Sequence, residues 1–409
     1  MAAPVIDTKR LWSDLMTLGA IGGLPRGGCD RLALTDGDRD GRSLFALWCQ
    51  EAGLALSIDG MGNMFARREG ADPSLPPVLA GSHLDTQQPG GKFDGPLGVL
   101  GALAAVRAID AAGIVPQRAI EVVNWTNEEG ARFMPGLMGS AVFAGVLPIE
   151  TAHASTDRAG LTVGGELVRI RANGPAPMGG RPVDSYFELH IEQGPVLEEA
   201  GITIGAVTHS HYSTYTAMEC LGENAHISSM PMLRRRNALL GAARMIAEVD
   251  RIGCAWAPAG SASVTVIDVW PNNRINIPHR ATFAFSLVHP DAEGVAAMHA
   301  EVMQAAEAIT GETGLPFNTL SHSARDPVFF DPALTTLVEQ VAGQAGYSVM
   351  RMRTRPGHDA FNMTRLCPTQ LIFVPCRDGL SHSELEWCTP EHVEAGATVL
   401  LHSMLARVG

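Results

Sequence analysis

The 409-residue chain has no dense block of lysine and arginine; the local cluster Arg234–Arg236 is its most basic stretch. Lysine and arginine total 30 against 43 aspartate and glutamate, for a net charge of −13. Nucleic acid and anionic membranes are thereby excluded as main partners. Long hydrophobic runs are also missing. The longest in the N-terminal third, 97–106, is too short to span a bilayer. Charged Asp7, Lys9 and Arg10 precede any sustained apolar run, which is not the order of a secretory signal. No CxxC pair occurs. The seven cysteines are odd in number and widely spread, as buried small side chains in a reducing compartment would be. Cys376 and Cys388 lack a fixed histidine partner, which argues against a thiol nucleophile. There is no tandem repeat and no low-complexity segment. These absences predict a soluble, cytoplasmic protein.

What is present is ample apolar material, 46% of residues, in a chain too long for one growing core. Two domains are expected. Apolar spacing predicts helices over 7–18 and 41–52, then a hairpin over 56–67 around Gly60 and Gly62-Asn63. Residues 78–80 read as a buried strand emptying into a polar loop at His83. A helix is expected over 96–112, begun by Pro96 and stopped at Gly113. Residues 119–126 read as a second buried strand, and His190 falls on or beside a third that ends at Gly194-Pro195. Composition changes near 210. The pattern then predicts a strand (208–223), a helix (234–252), strands at 261–270 and 281–288, and a helix at 292–314, as in a split-βαβ unit. After 325 come a helix (331–346) and a buried strand (371–375).

Five polar punctuations stand out in this apolar pattern: GSHLD (81–85), GGKFDG (90–95), WTNEEG (125–130), ELHIEQG (188–194) and GLSHSE (379–384). They carry His83, Asp94, Glu129, His190 and His382. Imidazoles and carboxylates are donors that divalent ions accept, and one shared aspartate would build a paired site. An isolated HxD or Glu-Glu pair is ordinary surface chemistry; five motifs in this order are not. Glu128 and Glu129 are neighbours on an extended chain and point to opposite faces, so one is free for substrate while the other binds metal.

Together these motifs resemble the M20 metallopeptidase and amidase family. The likeness is to its N-carbamoyl-L-amino acid hydrolase and allantoate amidohydrolase branch, along nearly the whole chain. The resemblance implies an α/β catalytic domain with a central mixed sheet flanked by helices, residues 1–210 and 325–409. Into it is inserted an α+β lid and dimerisation domain of split-βαβ, ferredoxin-like type, residues 211–324. It implies two divalent ions per subunit, zinc first, with manganese, cobalt or nickel as alternatives. Asp94 would bridge them, and His83 and His190 would each take one, opposite Glu129 and His382. Glu128 would be the general base, in a setting made partly apolar by Trp125 and Phe133. Asp85 would hold the His83 imidazole. His226, in NAHISSMPMLRRRNA (224–238), would polarise the scissile carbonyl across a homodimer interface.

The likeness extends to RPGHDAFNM (355–363), with His358 and Asp359 beside the substrate, and to PTQLIFVPCRDGLSHSELE (368–386), with Ser381 next to His382 and Glu384 or Glu386 bracing the loop. Gln193 of HIEQG joins this surrounding set. The substrate grip departs from the pattern. Ile275 and Val288 stand where the branch has an asparagine and an arginine that clamp a carboxylate, and valine cannot replace a guanidinium. His209 and His211 occupy the neighbourhood of an absent glutamine. Two readings follow: Arg355, or Arg274 and Asn276, grips the carboxylate instead, or the substrate is a ureide, amide or carbamate without one in that place. Outside this branch the alternatives are an M20 aminoacylase or dipeptidase, and an inactive binding scaffold. The latter sits poorly with six intact active-site positions.

Overall fold

The computed structural model describes residues 4–409, which form two compact units: residues 4–209 with 329–409, and residues 210–328. The first is a mixed α/β unit built on an eight-stranded sheet. Its strands run in the order Ala55–Ile58, Met64–Arg68, Ile120–Trp125, Val78–His83, Ser185–Ile191, Thr369–Val374, Ile204–Ser210 and Val349–Thr354. Four neighbours in the middle, from Ile120–Trp125 to Thr369–Val374, are mutually parallel and buried along their whole length. Parallel strands covered on both faces need largely apolar sequence, and VLA of Val78–His83, VV of Ile120–Trp125 and LIFV of Thr369–Val374 supply it. Helices Pro96–Ala111 and Pro390–Val408 pack against these strands, and their leucines, valines and alanines form much of the core.

Local chemistry sets several boundaries differently from periodicity. The helix expected at 41–52 begins earlier, at Asp36, because the Thr35 side chain caps it and Asp36 and Asp38 lie in its first turn. The Val78–His83 strand continues through His83 instead of stopping at 80. The helix expected at 234–252 is Ala238–Trp256: Asn237 takes the cap, accepting hydrogen bonds from the Leu239 and Leu240 N–H groups.

The second unit holds an antiparallel four-stranded sheet in the order Phe317–Arg325, Tyr212–Leu221, Arg280–His289, Ser261–Trp270. Its core joins Met218, Phe283, Phe285 and Leu287 of the sheet to Met245, Val249, Met298 and Val302 of the Ala238–Trp256 and Ala292–Thr313 helices. The Phe317–Arg325 strand has no counterpart among the elements that the sequence pattern predicts; it is an edge strand, largely exposed, and carries no apolar alternation. A separate short ladder pairs Ala225–His226 with Asn276–Ile277. All seven cysteines are free, and only Cys254 is exposed. No helix of the described residues is long and apolar enough to cross a membrane.

Candidate metal centre

Each of the four parallel strands delivers part of one cluster at its carboxyl end, where open α/β sheets form sites. Val78–His83 ends on His83 itself. Beyond Ile120–Trp125, Asn127 turns the chain with a left-handed φ of 55° and is followed by Glu128 and Glu129. Ser185–Ile191 carries His190, with Gln193 beyond it at φ 59°. Past Thr369–Val374 come Ser381 and His382, the latter at φ 52°. Left-handed non-glycine residues are strained, and such strain clusters at functional sites. Asp94 stands at the focus, just before the Pro96–Ala111 helix. The cap of that helix, Gly95, has φ 82°, and a Cβ there would lie 2.4 Å from the His83 ring. Only glycine lets the helix begin so close to the imidazole.

The donors divide between the two oxygens of Asp94. Oδ1 lies 3.1 Å from His190 Nε2 and 3.8 Å from His83 Nε2. Oδ2 lies 3.2 Å from His382 Nε2, which is itself 3.3 Å from Glu129 Oε2. Glu128 Oε2 approaches His83 Nε2 at 3.4 Å. Two ion-sized groups result: His83, Asp94 and His190, and Asp94, Glu129 and His382. The sequence reading divides His83 and His190 between two ions; here both imidazoles face the same Asp94 oxygen and fall in one ion-sized group.

The tautomers suit ligation. His83 Nδ1 bonds to the Asp85 carbonyl and His190 Nδ1 to the Ile191 carbonyl, each at 2.9 Å. A carbonyl only accepts, so each proton sits on Nδ1 and each Nε2 turns a lone pair toward carboxylate oxygens. Lone pair against lone pair is satisfied by a proton or by a cation. His83 Nε2 is buried with no hydrogen-bond partner at all. The acids press the same way. Burial, aided by the charges of Asp359, Glu129, Asp85 and Asp94, raises Glu128 well above the carboxylate range. Burial and Asp94 push Glu129 up to about 8. Burial, with the nearby His190, pulls His83 down to about 4. For His190 and His382 burial acts in the opposite direction, yet the bond to Asp94 carries each up to about 9. A pocket that crowds acids and empties imidazole lone pairs into one place fits divalent cations.

Asp85 does a different task from the expected one. Its backbone carbonyl, and not its carboxylate, holds His83, while Oδ1 accepts from Glu128 N and Oδ2 from Glu129 N, both at 3.2 Å. It thus sets the turn that separates the two glutamates. Gln193 Nε2 donates to Asp94 Oδ2 at 2.9 Å, and Ser381 Oγ to the same oxygen at 2.7 Å. His358 packs edge-on against His190 at 4.6 Å, and its Nε2 meets Thr354 Oγ1 at 3.2 Å. Asp359 is buried and accepts from Ser140 Oγ. Arg355 is exposed in the loop after Val349–Thr354. His209 stacks on Phe329 with ring centroids 5.0 Å apart. His211, His226 and Asn276 belong to the second unit, where Asn276 and His226 face each other in the short ladder. Ile275 is exposed there, and Val288 lies between Ser213 and Ser261.

Three contributors have little or no signature in the sequence. Gln87 Nε2 donates to Glu129 Oε2 at 2.8 Å, and nothing in LDTQQPGG announces it. Glu188 groups with His190 and His358; its signal is a charged residue inside a wholly buried strand. Glu386 is one of two bracing candidates, and its partners are Phe93 N and Asp94 N.

Residues 79–406 match Peptidase family M20/M25/M40. The chain belongs to this family. Among its M20 relatives, an N-carbamoyl-L-amino-acid amidohydrolase of Rhizobium meliloti is 42% identical, over 99% of this chain and 98% of the relative. An allantoate deiminase of Arabidopsis thaliana is 30% identical, over 87% of this chain and 74% of the relative. The crystal structure of an amidase of the hydantoinase/carbamoylase family from Burkholderia vietnamiensis has a TM-score of 0.95 at 44% identity, covering 100% of this M20 chain and 99% of the other.

Proposed function

We propose that this protein hydrolyses a carbon–nitrogen bond of a small N-carbamoyl (ureido) or related amide substrate at a centre of two divalent ions. The chain is a metal-dependent amidohydrolase, acting on non-peptide carbon–nitrogen bonds in linear amides. The observation that carries the reading is the convergence of three imidazole Nε2 atoms and Glu129 around the two oxygens of Asp94. One ion is assigned to His83, Asp94 and His190, the other to Asp94, Glu129 and His382. Zinc is the first assignment, and manganese, cobalt or nickel would suit the same nitrogen and oxygen donors.

Two such ions, when bound, acidify a water and polarise the substrate carbonyl. Glu128 is the general base. It lies beside the cluster, bound to neither ion in this assignment, and burial among acids makes it a willing proton acceptor. It takes the proton of the attacking water and returns it to the departing nitrogen. For a ureido substrate, oxygen adds to the carbamoyl carbon, the bond to the substituted nitrogen breaks, and the free amine leaves. The carbamate left behind falls to ammonia and carbon dioxide.

The second unit, residues 210–328, is read as a ferredoxin-like lid through which a homodimer forms, with His226 serving the partner's centre. His226 Nδ1 accepts from Ser228 N at 3.1 Å, which places the neutral ring's proton on Nε2, a donor suited to a developing oxyanion. We assign the protein to the cytoplasm, with no nucleic-acid or membrane partner. Ile275 and Val288 offer no charge to a carboxylate, so the preferred substrate is a ureide or amide whose acidic group is missing or relocated toward Arg355. A kinetic panel of N-carbamoyl, N-acetyl and N-formyl amino acids, allantoate and their carboxamide analogues tests this. Preference for simple N-carbamoyl-α-amino acids, unaffected by Arg355→Ala, would refute the changed-substrate reading.

A further inference from the structure

The loop that carries His382 returns a buried carboxylate to the loop that carries Asp94. Glu386 Oε1 accepts the backbone N–H of Phe93 at 2.9 Å and of Asp94 at 3.1 Å. Its Oε2 lies 3.0 Å from Ser381 Oγ, which also reaches Asp94 Oδ2 at 2.7 Å. Glu386 is almost wholly buried, at 3% exposure. The fold reserves room for it: a Cβ on Gly91 would fall 1.9 Å from its carboxyl carbon. Glu386 lies outside the ion-sized groups of Asp94. All its bonds go to the backbone of the Asp94 loop and to the hydroxyl beside His382. Asp85 does the matching work on the other side of the cluster, accepting two successive N–H groups of the Glu128–Glu129 turn.

We propose that Glu386 is a positioning residue that fixes Asp94 Oδ2 and the His382 loop in register, and so governs the affinity of the ion assigned to Asp94, Glu129 and His382. The inference rests on the two-ion reading above. It works by hydrogen-bond geometry, not by charge. A glutamine at 386 keeps a carbonyl for both N–H groups, and its amide donates to Ser381 Oγ, leaving that hydroxyl to donate to Asp94. An alanine leaves two buried N–H groups unpaired and releases Ser381.

The test is calorimetric titration of Zn²⁺ into chelator-stripped protein, with a thermal melt of each variant. The parent is expected to bind two equivalents. Glu386→Ala should keep the first ion and weaken the second by about 10–100-fold, the usual scale for losing an outer partner of a metal ligand. Gly91→Ala, which displaces the carboxylate without removing it, should do the same, and Glu386→Gln should restore binding close to that of the parent. If Glu386→Ala fails to fold, Ser381→Ala decides. It removes the hydroxyl that links Glu386 to Asp94, together with that hydroxyl's own bond to Asp94 Oδ2, and should weaken the same ion. Unchanged second-ion affinity in a folded Glu386→Ala or Ser381→Ala protein overturns the inference, as does a Glu386→Gln protein as impaired as Glu386→Ala. A parent that binds fewer than two ions overturns the two-ion reading along with it.

Discussion

His382 Nε2 lies 3.2 Å from Asp94 Oδ2, on the oxygen opposite the one that His190 faces at 3.1 Å. One carboxylate is thereby shared between two donor sets that arrive from different strand ends. The first expectation follows from that sharing. Chelation should abolish hydrolysis, and Zn²⁺, Mn²⁺, Co²⁺ or Ni²⁺ should restore it to differing extents. Activity retained in protein holding well below one equivalent of metal would contradict the assignment.

The two adjacent glutamates should separate under mutation. Glu128→Gln is expected to keep both ions and lower kcat by roughly 10²–10⁴, the scale of a lost general base. Glu129→Gln should lower ion occupancy first. Metal content and turnover measured on the same samples distinguish these outcomes, and a reversed pattern would exchange the roles.

Asp85→Asn should impair the centre although its side chain is assigned to no ion. An amide presents one acceptor where two N–H groups need two, and its own N–H₂ would face the Glu128 or Glu129 donor. A loss of about 10–100-fold in kcat or metal affinity is expected. Asp85→Ala should be no better, and turnover equal to that of the parent would show that the turn holds without it.

Metal-free protein should lose stability as pH rises from about 7 to 9. Glu129 is pushed from 4.5 up to about 8, chiefly by burial, so its contribution to stability is complete below its unfolded value and is lost as pH rises through about 8. His190 and His382, held at about 9 by Asp94 against the opposing effect of burial, contribute stability that is complete below their unfolded range near 6.5 and lost as pH passes 9. His83, lowered to about 4, acts in the opposite sense only below about 6.5. Thermal melts of chelated protein should therefore fall across this window, and added divalent ion should recover most at its upper end. A flat profile would remove the electrostatic argument for cations.

Much of this is legible in the chain. The central strands are apolar runs, and His83, Glu128, Glu129, His190 and His382 interrupt the pattern at or beyond strand ends, with Asp94 just before a helix, so these positions stand out in the residues, while their roles come from the resemblance to the M20 family. The edge strand Phe317–Arg325 does not stand out, because an exposed strand has no reason to alternate. The bracing contacts are illegible for another reason. Asp85 and Glu386 bind backbone N–H groups, and a backbone donor has no sequence signature. Hence the HxD spacing suggests a pairing of Asp85 with the His83 ring, when its carboxylate serves the glutamate turn.

A mixed-subunit experiment addresses the homodimer. Combining His226→Ala and Glu128→Gln subunits should regenerate one intact centre per mixed dimer if His226 acts in trans, and activity should rise well above that of either variant alone. No recovery in a verified mixed dimer would assign His226 to its own subunit.

The most direct test of the central claim is anomalous diffraction from crystals of the zinc-reconstituted protein. The account expects two peaks that share Asp94, one also contacting His83 and His190, the other Glu129 and His382. A single peak, or two that do not meet at Asp94, would contradict it.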